Sequence, residues 1–118
     1  MIETYRDLRV WQRAMDLVVA AYDIIKLLPR DELYSLSAQI KRSATSVAAN
    51  IAEGYGRGSK GAYVNHLSIA RGSLKECETH VLACIRLRMV TEDQANPFFD
   101  LSQQVGKMLN GLIDSLER

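Results

Sequence analysis

Three side chains of types that bind zinc lie close together in this sequence: Cys77, His80 and Cys84. Steps of three and four residues place them near one side of a helix, and thiolate sulfur and imidazole nitrogen are both ligands of Zn²⁺. No fourth ligand is evident nearby. The same spacing suits two cysteines at core positions of a helix with a histidine beside them. We therefore predict two buried free thiols and no metal site.

Other catalytic patterns found in helical proteins are also missing. A di-iron site needs two Glu-x-x-His motifs, but Tyr63 and Cys77 occupy the positions three residues before His66 and His80. The glycine-rich residues 54–61 lack the order of a phosphate-binding loop, and no strand precedes them. The sequence therefore predicts no catalytic residues, no cofactor and no enzymatic activity.

Basic side chains are the remaining candidates for binding. The net charge is only +1, yet residues 38–75 contain six Lys or Arg and a single acid, Glu53. Clustered cations can contact the phosphates of RNA or DNA, and Ser59 with Lys60 at a helix start can hold one phosphate. Scattered cations are also typical of a solvated helix face. The candidate nucleic-acid contacts are Lys41, Arg57, Lys60, Arg71 and Lys75.

The elements that position these residues are predicted from apolar side chains that recur in steps of three and four, which is typical of helices. Four such stretches cover about residues 7–28, 32–56, 59–89 and 92–117. Asp7 and Ser59 are expected N-caps, and Thr91 with Gln94 has the form of a capping box. Pro97 predicts either a kink or a lead-in turn, with Asn96 as the cap of a helix that begins at Pro97.

Short connections between four helices make sequence neighbours antiparallel. We therefore predict an all-α, up-and-down four-helix bundle with left-handed, coiled-coil-like packing, formed by residues 1–118 as one domain. Helix 1 has two adjacent apolar stripes, so it should contact two helices or a second subunit, and Trp11 fits either the core or a subunit interface. The apolar runs are shorter than the ~20 residues of a membrane span, and residues 1–7 do not resemble a secretory signal. We expect a cytoplasmic protein that does not contact membranes.

Polar residues within helices 2 and 3 are predicted to set the register of this hairpin. If the turn lies near Gly58, facing residue numbers sum to about 116–118, which pairs Arg42 with Glu76, Ser46 with Gly72, and Asn50 with His66. Gly72 would then allow close approach of the two backbones. The polar residues expected to fix register and subunit contacts are Arg42, Asn50, Glu53, Gly72 and Glu76.

Several segments together resemble the bacterial 23S rRNA intervening-sequence proteins. They are residues 7–14 (DLRVWQRA), 34–44 (YSLSAQIKRSA), 46–54 (SVAANIAEG), 67–76 (LSIARGSLKE) and 107–112 (KMLNGL), in order along nearly the whole chain. The resemblance implies a four-helix bundle in a ring-shaped homo-oligomer, typically a pentamer, with no established enzymatic activity and an inferred role in binding ribosomal RNA. The accessory proteins of diversity-generating retroelements are similar in fold and bind nucleic acid.

Overall fold

Four α-helices and two short 3₁₀ helices make up the computed structural model, which describes residues 1–118. Each α-helix packs against the next along the chain, and the fourth packs against the first. The longest dimension, 43 Å, matches helices of 26 or 27 residues at about 1.5 Å per residue. The predicted all-α four-helix bundle is therefore confirmed. The helices are α1 (Arg9–Ile25), α2 (Leu36–Gly56), α3 (Lys60–Arg86) and α4 (Glu92–Glu117), and the 3₁₀ helices are Tyr5–Asp7 and Arg30–Glu32.

One apolar core fills the centre of the bundle. Helix α1 contributes a single buried stripe, and its second apolar stripe, which includes Trp11 and Met15, is only partly covered. Helix α1 contacts both α2 and α4, as its two stripes predict. The buried residues of α4 are Ala95, Phe98, Ser102, Val105, Leu109 and Ile113. No helix is both long and apolar enough to cross a membrane.

The start of α1 differs from the prediction. Asp7 does not cap α1, whose N-cap is Leu8 without a side-chain hydrogen bond. Asp7 instead accepts hydrogen bonds from the backbone amides of Glu3 and Thr4, while Thr4 caps the 3₁₀ helix. These two amides also lower the pKa of Asp7. Hence the carboxylate orders the segment before α1 rather than α1 itself.

Helix α3 ends at Arg86, three residues before the predicted end. Arg88 has a φ of 61°, in the left-handed region that favours glycine. The amides of Arg88 and Met89 bond back to the carbonyls of Ile85 and Cys84, which together form a complete Schellman motif. The sequence did not reveal this end because an arginine occupies the usual glycine position.

Helix α4 begins with the predicted capping box. Thr91 accepts from the Gln94 amide at 3.1 Å, and the Gln94 side chain accepts from the Thr91 amide at 3.0 Å. The α-helix is then continuous through Pro97. A separate helix capped by Asn96 is therefore wrong, since the capping box fixes the start of α4 one turn earlier. Ser59 caps α3 as predicted, accepting from the Ala62 amide at 3.2 Å.

Candidate functional site

The two cysteines are buried in the core of α3 as free thiols. Burial raises the pKa of the Cys77 thiol to about 11 and also raises that of Cys84. His80 is half-buried, and its Nε2 lies 3.4 Å from Glu76 Oε2. No three His, Cys, Asp or Glu side chains are grouped closely enough to hold a metal ion. The spacing of these residues is thus explained by helix packing.

A chain of hydrogen bonds joins α2 to α3. The Ser46 and Ser73 hydroxyl oxygens are 2.8 Å apart, and Asn50 Nδ2 donates to Ser46 Oγ at 3.0 Å. Asn50 Oδ1 lies 3.1 Å from His66 Nδ1, so the predicted Asn50–His66 pair is confirmed. Because the Asn50 amide nitrogen already donates to Ser46, His66 Nδ1 is the donor to Asn50 Oδ1. We call these four side chains and Glu53 the α2–α3 polar chain.

Glu53 completes this chain at the turn end of the hairpin. Its carboxylate lies 3.8 Å from His66 Nε2 and forms an ion pair with Arg57 one turn later. The hydrogen bond from Arg57 is the main cause of a lowered pKa at Glu53, and the nearby His66 is the second cause. This arrangement ties α2 to α3 beside the loop, yet Glu53 itself is exposed.

Two predicted contacts of the hairpin are wrong. Arg42 and Glu76 do not form an ion pair, and Glu76 lies beside His80 instead. Gly72 is exposed with open space beside its Cα, and Ser46 meets Ser73 rather than Gly72. The reason is that α3 is rotated about its own axis relative to the predicted pairing. Adjacent residues point about 100° apart around a helix, so Ser73 faces α2 and Gly72 does not.

Gly54 provides the close backbone approach that was expected at Gly72. A Cβ atom added at Gly54 would lie 2.7 Å from the Cβ of His66 and 3.3 Å from Tyr63 atoms. Gly54 is buried although it lies near the end of α2. The backbone of α2 therefore approaches α3 closely beside His66, at one end of the α2–α3 polar chain.

The five candidate nucleic-acid residues lie on different faces. Lys41 Nζ is 5.7 Å from the centre of the Tyr22 ring, on the side of α2 that faces α1. Arg57 and Lys60 flank the α2–α3 turn, with Arg57 paired to Glu53. Ser59, at the same turn, uses its hydroxyl to cap α3.

Arg71 and Lys75 face α4, on the opposite side of the hairpin from Lys41. Arg71 Nη1 donates to Asn110 Oδ1 at 3.0 Å, and Lys75 Nζ lies 3.3 Å from Glu78 Oε1. Ser102 of α4 donates to Glu78 Oε2 at 2.6 Å. The antiparallel α3–α4 pair thus has facing numbers that sum to about 181.

A groove with no hydrophobic lining residue lies between these two helices. Its volume is about 320 Å³. This groove was not predicted, because the sum of facing residue numbers was considered only for α2 and α3. We call it the α3–α4 polar groove, and its lining residues are Lys75, Glu78, Ser102, Gln103, Gly106, Lys107 and Asn110.

An apolar groove of about 280 Å³ lies between α1 and α2. Trp11 forms one wall, half-buried and edge-on to Tyr5 at 5.2 Å between ring centres. Met15 is 41% exposed, and Val19 and Tyr22 extend the exposed apolar surface of α1 beyond the groove. We call it the α1–α2 apolar groove, lined by Tyr5, Trp11, Met15, Val18, Thr45, Ala48, Ala49 and Ala52.

Comparison with known proteins agrees with this fold. Residues 6–111 match the model of the family described as 23S rRNA-intervening sequence protein. Among solved structures, a protein of unknown function from Bacteroides thetaiotaomicron, of the S23 ribosomal protein family, is 28% identical with a TM-score of 0.81. That similarity covers 88% of this chain and 97% of the other chain. A search of curated proteins gives no match.

The matched region runs from the 3₁₀ helix before α1 into the last turns of α4. It contains the α2–α3 polar chain, Gly54 and all five candidate basic residues. The chain therefore belongs to the family of 23S rRNA-intervening sequence proteins.

Proposed function

We propose that this protein is a non-enzymatic four-helix bundle that assembles with copies of itself, as a pentamer, and binds structured RNA or DNA. The observation that carries the proposal is the excess of cations on α2 and α3, where the candidate contacts Lys41, Arg57, Lys60, Arg71 and Lys75 lie on several faces of the hairpin. Cations repeated around a ring would act together, because linked weak sites gain affinity through effective concentration. The family description refers to 23S rRNA, which agrees with an RNA partner.

The α1–α2 apolar groove supports self-association. A methionine and a tryptophan beside three alanines form a surface that is costly to leave in water. Val19, 63% exposed, continues this surface along α1. A second copy that covers these side chains would remove them from water.

The non-enzymatic part of the proposal rests on the state of the side chains that could act as nucleophiles or bases. The buried thiols have raised pKa values, so they are poor nucleophiles at neutral pH. His66 and Glu53 are committed to the α2–α3 polar chain, with no hydroxyl or thiol nucleophile bonded to His66. These features favour binding over catalysis.

An assembly module without affinity for nucleic acid is the second candidate. It is favoured by the pairing of Arg57 with Glu53 and of Lys75 with Glu78, which partly neutralises two of the five candidate cations. Both candidates share the self-association, and they differ only in the response to nucleic acid.

The deciding experiment begins with the mass of the purified protein by light scattering, where we expect five times the 13.2 kDa of one chain. The oligomer is then titrated with a fluorescent RNA hairpin and a matching DNA duplex across a range of salt concentrations. Affinity that falls steeply with salt supports binding through phosphates. Lack of binding at the lowest salt would leave only the assembly module.

A further inference from the structure

We infer that the α3–α4 polar groove is the place where this protein holds a phosphate group of its nucleic-acid partner. The inference rests on the proposed function. It places the phosphate contact between α3 and α4 rather than across the whole α2–α3 hairpin. It also adds Lys107, a residue outside the five sequence candidates.

The groove is built by three successive levels of the α3–α4 interface. At one end Arg71 donates to Asn110, and at the other end Ser102 donates to Glu78. At the level between them Gly106 stands where a side chain would otherwise fill the space. A Cβ atom added at Gly106 would meet only Leu74 Cδ2, at 3.6 Å. The missing side chain thus leaves an opening bounded by polar bridges on both sides.

The donors around this opening suit an anionic oxygen group. Lys75 and Lys107 provide ammonium groups from the two facing helices. Asn110 accepts from Arg71 through Oδ1, so its amide nitrogen is left as a donor. Gln103 adds a second side-chain amide. Phosphate accepts hydrogen bonds from all these groups, and lysine binds it as a point charge.

Glu78 is the one carboxylate in the lining, and it must be reconciled with an anionic ligand. Its side chain is 18% exposed, and both of its oxygens have partners, one from Ser102 and one from Lys75. With Arg71, Lys75 and Lys107 nearby, the positive charges outnumber this carboxylate. Lys75 is 69% exposed, so its flexible side chain can turn from Glu78 to a ligand.

The arrangement favours a phosphodiester over a compact buried ligand. The groove is open to solvent along the interface of two long helices, and Arg71 extends its cationic edge by one turn. A nucleic-acid backbone presents successive phosphates along such an edge, and each neutralised phosphate adds to the salt dependence of binding.

The test compares two groove variants with a matched control at the C-terminal end of α1. Lys107→Gln removes one charge, and Gly106→Gln fills the opening without changing charge. Lys26→Gln removes the same charge from an exposed lysine paired with Asp23, far along the chain from the groove. Each variant, checked for a native circular dichroism spectrum, is titrated with the fluorescent RNA hairpin and DNA duplex over a salt series.

For Lys107→Gln we expect about tenfold weaker binding at about 0.1 M salt, and a salt slope reduced by about one. Gly106→Gln should weaken binding but leave the salt slope unchanged, because no charge contact is lost. Lys26→Gln should bind like the unchanged protein. If RNA or DNA binds and both groove variants match the unchanged protein, the groove inference is overturned while the proposed function stands.

A second probe separates the remaining outcomes. Inorganic phosphate is titrated into the ¹⁵N-labelled protein, and amide shifts are followed at residues 102–110. Shifts at these residues without any binding of RNA or DNA would retain the phosphate site and overturn the proposed function. The lack of both responses would overturn both.

Discussion

At the scale of single residues, Gly54 has a role that its helix propensity alone would not suggest. A glycine inside a helix is normally a weak point. Here the missing side chain lets α2 approach α3 closely beside His66. Replacing Gly54 by alanine would therefore raise the helix propensity of α2 but would also create a steric clash with α3.

We expect Gly54→Ala to destabilise the protein by about 1–3 kcal/mol, because an added methyl group at 2.7 Å from His66 Cβ must push the helices apart. The matched control is Gly72→Ala, which meets open space on α3 and should stabilise by about 0.5–1 kcal/mol. Urea denaturation measures both changes. Equal effects of the two substitutions would contradict the role given to Gly54.

Cys77 gives a second prediction, on pH. Its folded-state pKa of about 11 lies above the ordinary value, so the folded chain holds the proton more tightly than the unfolded chain. The stability linked to this proton is complete below about pH 8.5 and is lost as pH rises towards 11. By pH 10 the loss should be about 1–2 kcal/mol.

Cys77→Ala tests this assignment. The variant is expected to be less stable at pH 7.5, because it leaves a small cavity, but its stability should fall less between pH 8 and pH 10. Urea denaturation at several pH values provides the comparison. An identical fall in both proteins would mean that other groups, such as Tyr63 with its raised pKa, cause it.

At the scale of elements, the sequence predicted the four helices and two of the capping structures. Apolar periodicity depends on burial of one helix face, and Ser59 and the Thr91–Gln94 box have side chains that bond to nearby amides. The end of α3 was not predictable in the same way. Arg88 adopts its left-handed conformation because Met89 and the buried Val90 must turn towards α4, not because of its own preference.

Arg88→Gly is therefore expected to stabilise the protein by about 0.5 kcal/mol, since relief of the left-handed strain exceeds the entropy that glycine adds to the unfolded chain. Arg86→Gly is the control, because it removes the same charge from the last helical residue of α3. That change should destabilise by about 0.5–1 kcal/mol. Thermal unfolding of both variants would reveal the opposite signs, and stabilisation by neither would contradict the prediction.

At the scale of the whole molecule, the register of the α2–α3 hairpin was predictable but the side chains around each helix were less so. A sum of facing numbers places Asn50 beside His66 correctly. It does not fix the rotation of a helix, and an error of one residue exchanges Ser73 for Gly72. The local count of cations likewise grouped Lys41 with Arg71, although they face α1 and α4 respectively.

The candidate site depends on contacts between distant parts of the chain. Lys107 belongs to an acidic segment, residues 91–118, where no count of charge would select it. Only the packing of α4 on α3 places it with Lys75 beside Gly106. The same sum of facing residue numbers, applied to α3 and α4, would have identified this pair, since Arg71 contacts Asn110 and Glu78 contacts Ser102.

The contact between α1 and α4 has a consequence for chain connectivity. One mainly apolar pocket is lined by both ends of the bundle, which therefore lie together: its residues are Leu8, Arg9, Val10, Met108, Gly111 and Leu112. A circular permutant, with the two ends joined by a short linker and the chain opened within residues 29–35, should keep a helical circular dichroism spectrum and unfold cooperatively. In that case the fold would be specified by the contacts between helix faces, and the order of the helices along the chain would not be required for folding.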